Sequence, residues 1–431
     1  MRIPRPVALS WVHRVQAELD LVPRPLDVPR QSAAGPDPDR VLVFGNGPAV
    51  GFGVRTHELA IPGFLARGLA AATGRGAEVD VVARRELTVE TAVARLQEVR
   101  LWRYDAVVVV IGASDAYASL PVARWRTAMA SLLAALRSGG SASTQVVVAG
   151  IHPLQRSALS PGVVGALADR HAARLNAVTE RLCAAEPRAV FVPLGGRDAA
   201  SVVYRTPTAY ALVADRVVGA LAPRLGGTTG ADGPSARTLR DLPQPEDARQ
   251  AALDALGVVG TEPEERFDRL TRYARDLFGT RYAAVSLLDG DRQWNKSAVG
   301  LDREVPRSLS LCERTVRHDR ALVVPDLAAD PDAPAGLLEA GVRFYAGYPL
   351  ESPDGYRLGS LCVLDPEPQP PGVFDAEALR TLALRVQREL WTDADGRARA
   401  SVTSSTQDTS PPPPAQPSAR QDASDRMRVD A

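Results

Sequence analysis

Residues 105–112, DAVVVVIG, decide how the first half of the chain is read. Six consecutive apolar residues, mostly β-branched, with an aspartate before and a glycine after, are too short for a buried helix. They also lack the alternation of a half-exposed strand, so they read as a strand buried on both faces. Working outward, runs of the same kind occur at 41–44 (VLVF), 79–83 (VDVVA), 145–151 (QVVVAGI) and 189–194 (AVFVPL). Helical patterns at about 88–100, 122–137 and 163–185 separate them, and another at about 208–221 follows. Five such strands with intervening helices predict an α/β domain: a parallel sheet in a flavodoxin-like three-layer arrangement. Residues 31–40, QSAAGPDPDR, read as turns and loop ahead of the first strand.

Further along, residues 226–245, GGTTGADGPSARTLRDLPQP, have the composition of a flexible connector. Beyond it the pattern changes. A helix is expected at 263–278, a strand at 283–289, a polar loop at 293–296, a short helix at 312–318 and a strand at 322–324. Two more strands, 344–350 and 359–364, flank the turn SPDG, and a helix covers 376–390. Strands paired through a turn, with helices at both ends, predict an α+β antiparallel sheet. The expected organisation is therefore an N-terminal segment 1–38, an α/β domain 39–225, a connector 226–245, a second domain 246–392 and a polar, Pro-rich disordered tail 393–431.

Composition narrows the function. The 431 residues are 45% hydrophobic and 24% charged, as in ordinary globular proteins. Lys+Arg 51 balances Asp+Glu 51, which argues against nucleic acid or an anionic membrane as the partner. Lys296 is the single lysine among those basic residues. Three scattered cysteines without CxxC spacing make neither a disulfide framework nor a zinc site, and a cytoplasmic location is expected. No signal peptide or membrane span is expected either.

Parallel α/β sheets bind ligands at the carboxyl ends of their strands. There the sequence places Gly45-Asn46-Gly47, then Gly112-Ala113-Ser114-Asp115, then Gly150-Ile151-His152-Pro153. This layout resembles the SGNH/GDSL hydrolase family over about residues 39–225. The resemblance implies a serine nucleophile, a histidine base with its aspartate, and an oxyanion hole completed by a glycine and an asparagine. In this chain those positions hold Gly47, Tyr204, Ser201, Glu86 and Ser114. A triad acts as a unit, so the expectation is a pseudo-hydrolase without catalytic residues. What remains is a non-covalent pocket of Asn46, Ser114, Asp115, His152 and Tyr204. The rival is an esterase or acyl hydrolase using Ser114, Asp115 and His152. A plainer reading has Asp115 capping a helix and His152 ending a strand. His171 reads as a solvated helix residue, and His13 and His57 carry no partner signal.

The second half carries LDALG (253–257), VSLLD (285–289), DRQW (291–294), SLC (310–312), VPDL (324–327), RFYAGYPL (343–350) and LGSLCVLD (358–365). In this order and spacing they resemble a GAF domain of the bacterial signalling type, over about 246–391. The resemblance implies a six-stranded antiparallel sheet flanked by helices that encloses a small ligand or mediates dimerisation. The identity of any ligand or cofactor stays open. Candidate pocket residues are Trp294, Lys296, Cys312, Phe344, Tyr345 and Cys362, with both cysteines as attachment or redox points. The alternative makes the cysteines small buried hydrophobes and the aromatics core. No kinase loop, GGDEF-like run or helix-turn-helix accompanies the GAF-like segment. The expected function is a cytoplasmic sensor acting through a signalling protein partner, with a dimerisation scaffold as a further alternative.

Overall fold

The computed structural model describes residues 22–154, 163–195, 205–225 and 235–406, with side chains to Thr392. The first sheet contains β1 (Arg30–Ala33), β2 (Asp39–Gly45), β3 (Ala77–Ala83), β4 (Ala106–Val110), β5 (Gln145–Ala149) and β6 (Ala189–Val192). Its order is β1-β3-β2-β4-β5-β6, parallel throughout except for β1. The five apolar runs are thus parallel strands in the order second-first-third-fourth-fifth, which is the flavodoxin-like order. Residues 31–33, expected as loop, instead extend the sheet as part of an antiparallel edge strand on β3. Gln-Ser-Ala carries no apolar signal because only one side of this strand is paired.

Helices cover both faces. On one lie α1 (Ile61–Thr73) and, later in the chain, α6 (Pro207–Leu225), packing Ile61, Leu65, Leu69, Val213 and Val217 against Val41, Val43 and Val108. α1 has Pro62 in its first turn and ends at Gly74 in the left-handed region, the usual start and stop chemistry. On the other face lie α2 (Ala92–Leu96), α4 (Val122–Gly139) and α5 (Val163–Ala184), with Trp125, Met129 and Leu175 against Leu42, Phe44 and Val109. α3 (Ala113–Tyr117) follows β4 directly. Even and odd residues of β2 therefore enter different cores, as a twice-covered strand requires.

The second sheet contains β7 (Tyr282–Asp289), β8 (Arg292–Val299), β9 (Glu304–Pro306), β10 (Leu322–Val324), β11 (Phe344–Glu351) and β12 (Arg357–Asp365), ordered β10-β11-β12-β7-β8-β9 and wholly antiparallel. Helices α8 (Glu246–Leu256), α9 (Glu265–Phe278) and α12 (Ala376–Thr406) cover one face, while α10 (Cys312–Thr315) and α11 (Ala335–Glu339) lie with the loops on the other. Residues 293–296, expected as a polar loop, are the middle of β8 and are buried.

Residues 226–234 of the expected connector lie outside the described residues. The part from 235 is ordered: Ser235 caps α7 (Ala236–Arg240) by accepting from the Thr238 amide. Arg240 is buried, with Nε on Asp319, Nη1 on the carbonyl of Arg103 and also on Asp105. This stretch is therefore wedged between the sheets, a correction to its reading as a flexible connector.

Candidate functional site

The parallel sheet reverses its strand order between β2 and β4, which puts the ligand crevice of such a fold at the end of those two strands. The Asn46 amide donates to Val110 O at 2.8 Å. Asn46 Nδ2 donates to Ser114 Oγ at 2.8 Å and to Leu87 O at 2.5 Å. The structure thus brings Asn46 and Ser114 together as expected. Two atoms here are buried without a hydrogen-bond partner among the described residues: Asn46 Oδ1 and Asp115 Oδ2. Buried acceptors without a partner are costly unless something with donors reaches them.

Asp115 lies inside the first turn of α3 and Gly112 holds the cap position, so the aspartate does not cap that helix. Burial pushes its carboxyl up to about 6, against the backbone amides of Val89 and Asp115 itself. In the unfolded chain an aspartate titrates near about 3.9. Between these values the folded protein retains a proton that the unfolded chain has lost, so stability falls as pH rises from about 4 to about 6. Asp115→Asn is expected to remove that slope and to stabilise the protein at pH 7 by about 2 kcal/mol, read as denaturant midpoints at pH 4 and pH 7. Equal midpoint differences between variant and parent at the two pH values would exclude it.

His152 is half-buried, and burial together with the Arg205 guanidinium draws its imidazole down to about 4. It is neutral at physiological pH. Gly47 offers no nucleophile, and Glu86 is exposed in a turn, paired with Arg85. Ser201 and Tyr204 lie outside the described residues, as does His13. His57, which showed no partner signal, is held by Asp27: Nδ1 lies 2.7 Å from Oδ1, and the His57 amide donates to the same carboxylate at 2.9 Å. His171 is not simply solvated, since Nε2 is 2.8 Å from Leu120 O.

In the antiparallel domain the expected pocket divides between two faces of the sheet. Trp294 and Phe344 belong to the core under α8, α9 and α12. Cys312, Tyr345 and Cys362 belong to the opposite core under α10. Alternation along a strand explains the division of Phe344 from Tyr345. Lys296 is the extra residue of a bulge, because Ser286 pairs Asn295 while Val285 pairs Ser297. Its side chain is buried against α9, with Nζ on Thr261 Oγ1 at 2.6 Å, Glu262 O at 3.0 Å and Glu264 Oε1 at 2.5 Å. All three ammonium donors are thereby used, which makes Lys296 a structural anchor and not the pocket residue in a polar loop expected of it.

Sequence reasoning missed the junction of the two sheets. Glu351, last residue of β11, accepts from Arg40 Nη1 at 2.9 Å and from Arg103, and both arginines belong to the parallel domain. Glu78 of β3 accepts from Arg380 of α12 at 2.8 Å and lies 3.4 Å from Arg40. All five side chains are buried. Burial alone would raise the Glu351 carboxyl; Arg40, Arg103 and Arg30 outweigh it and hold it down to about 2. Arg30, paired with Asp80 at 2.9 Å, also stacks on Trp391, whose Nε1 donates to Glu351 O at 2.7 Å. Beside this cluster is a cleft of about 440 Å³ lined by Arg100, Trp102, Arg103, Arg240 and Arg357 among others. Among the described residues no group of three His, Cys, Asp or Glu side chains is placed to hold a metal ion. No described helix is long and apolar enough to cross a membrane.

Both halves match known families. Residues 43–217 match the GDSL-like Lipase/Acylhydrolase family, and residues 262–390 match the GAF domain. The chain thus joins a GDSL-like domain to a GAF domain. A stretch of 133 residues, 30% of the chain, is 40% identical to a cyclic di-GMP phosphodiesterase of Pseudomonas aeruginosa. That match spans 23% of the relative's length. Among solved structures, a lipase from a goat rumen metagenome aligns with 43% of this chain and 99% of its own, at 15% identity and TM-score 0.37. The GAF domain of an Acinetobacter phosphoenolpyruvate-protein phosphotransferase aligns with 36% and 98%, at 16% identity and TM-score 0.26.

Proposed function

We propose that this is a signalling protein in which a GAF sensor domain is coupled to a GDSL-like domain that binds a ligand without hydrolysing it. The observation that carries the reading is Gly47 at the nucleophile position, with the neighbouring Ser114 hydroxyl already engaged by Asn46. The unpartnered acceptors Asn46 Oδ1 and Asp115 Oδ2 favour a ligand that presents N–H or O–H donors. The similarity to a phosphodiesterase of a second messenger supports a place in signalling, and the shared buried charges support action as one unit. GAF domains in general take small ligands or dimerise, and a small-molecule ligand or a signalling protein partner fits here.

The test is turnover of a short p-nitrophenyl ester by the full chain and its Gly47→Ser and His152→Ala variants. No turnover above buffer by the parent is expected. Turnover lost in His152→Ala would replace this reading with the esterase one. Among the described residues a Cβ at Gly47 meets only Ala113 Cβ at 3.7 Å, so the serine fits beside them. Hydrolysis is expected to stay absent in Gly47→Ser, because an imidazole whose conjugate acid titrates near 4 is a weak base for a serine hydroxyl.

A further inference from the structure

Of the three cysteines, Cys183 sits alone in α5, where burial pushes its thiol up to about 11. Cys312 and Cys362 instead meet: their sulfurs are 3.9 Å apart between α10 and β12, at 2% exposure each. Two thiols used only as apolar filler have no need of hydroxyl donors, and these have several. Ser360 Oγ donates to Cys312 Sγ at 3.0 Å, the Tyr345 hydroxyl lies 3.8 Å from the same sulfur, and Ser286 Oγ is 3.7 Å from Cys362 Sγ. Ser286 is in turn held by Gln293 and Asn295 on β8, and Gln293 accepts from Ser310, whose Oγ accepts the Cys312 amide. Every member of this cluster is buried.

We propose that Cys312 and Cys362 form an oxidisable dithiol that closes to an intramolecular disulfide when a hydroperoxide enters the GAF domain. The sulfurs have to approach from 3.9 Å to about 2.05 Å, a movement within the reach of side-chain rotation on a short helix. The Cys362 thiol beside it and the hydroxyls of Ser360 and Tyr345 favour the thiolate at Cys312 against its burial, while Cys362, whose thiol donates to Ala284 O at 3.7 Å, is held as the thiol. Cys312 is thus the attacking sulfur. Its thiolate takes the terminal peroxide oxygen with its hydrogen, the O–O bond breaks, and the departing alkoxide or hydroxide takes up the proton that the Cys312 thiol released, giving a sulfenic acid. Cys362 sulfur then attacks the sulfenic sulfur, the S–O bond breaks, and water departs with the Cys362 proton. One hydroperoxide is reduced to an alcohol or water, and two thiols become one disulfide. The burial of the pair selects a small uncharged oxidant over a bulky charged disulfide such as oxidised glutathione.

The full-length protein exposed to hydrogen peroxide, quenched, denatured and alkylated with N-ethylmaleimide tests this directly. Reduced protein takes up three labels, one for each free cysteine. Peroxide-treated protein is expected to take up one, at Cys183, and its digest to contain a 312–362 cross-linked peptide that dithiothreitol releases. Cys362→Ser is expected to stop at a sulfenic acid on Cys312 that dimedone traps. The cross-link in the unmutated chain stands as the test even where that variant does not fold. Three labels remaining at peroxide concentrations that fully oxidise an added thiol peptide would overturn the proposal. So would a bond to Cys183, a bond between two chains, or closure by oxidised glutathione but not by peroxide.

Discussion

Glu351→Ala is expected to destabilise the protein by about 3–5 kcal/mol, the range for removing one partner of a buried ion cluster. The size follows from what is left behind. Arg40 keeps only Glu78 at 3.4 Å, and Arg103 loses its carboxylate while remaining buried against the Tyr104 ring. The Arg103 guanidinium lies against Gly355 at the wall of the cleft. The parent itself should lose this contribution in acid: the Glu351 carboxyl is depressed, so its stabilisation is complete above about pH 4.5 and disappears as pH falls toward about 2. Urea unfolding at pH 7 checks the first statement, and the same curves between pH 5 and pH 2.5 check the second. A cost below about 1 kcal/mol would mean that the cluster is hydrated and that the sheets are not locked together. Replacing Glu351 and Arg103 together by leucine and methionine should recover the part of the loss due to Arg103, while Arg40 still lacks its nearer carboxylate.

Gly45→Ala should abolish the folded parallel domain, at a cost of about 4 kcal/mol or more. Gly45 has φ +149°, and a Cβ there would stand 1.8 Å from Val110 O, a carbonyl fixed in the neighbouring strand. Neither atom can move, because the Asn46 amide donates to that same carbonyl. Two residues on, Gly47→Ala is the control: φ is +55° and the nearest atom among the described residues is 3.7 Å away, so only the strain of a left-handed residue, about 1–2 kcal/mol, is expected. Soluble yield and circular dichroism of the two variants give the comparison. Equal behaviour of the pair would remove the argument that the strand end is shaped by close approach of β2 and β4.

The five parallel strands were legible because both their faces are covered, which forces unbroken apolar runs such as 106–111. β8 was not, because the side of it that faces α10 is lined by Gln293 and Asn295, satisfied by Ser286 on β7 and by Ser310 just before α10. Hydropathy reads such a strand as loop. Asn46 and Ser114 were legible from their place after strands, whereas the orphaned atoms of Asn46 and Asp115 depend on how tightly the turns close over them.

The sequence by itself determined the two sheet types and the parallel strands of the first, since these are written in local periodicity. Tertiary structure alone decided which charges are buried and which sulfurs meet. Arg40 and Glu351 are 311 positions apart and Cys312 and Cys362 are 50 apart. Nothing local distinguishes a solvated arginine from one that locks two domains together, because the energy of a charge is set by the dielectric and the partner that the fold brings to it.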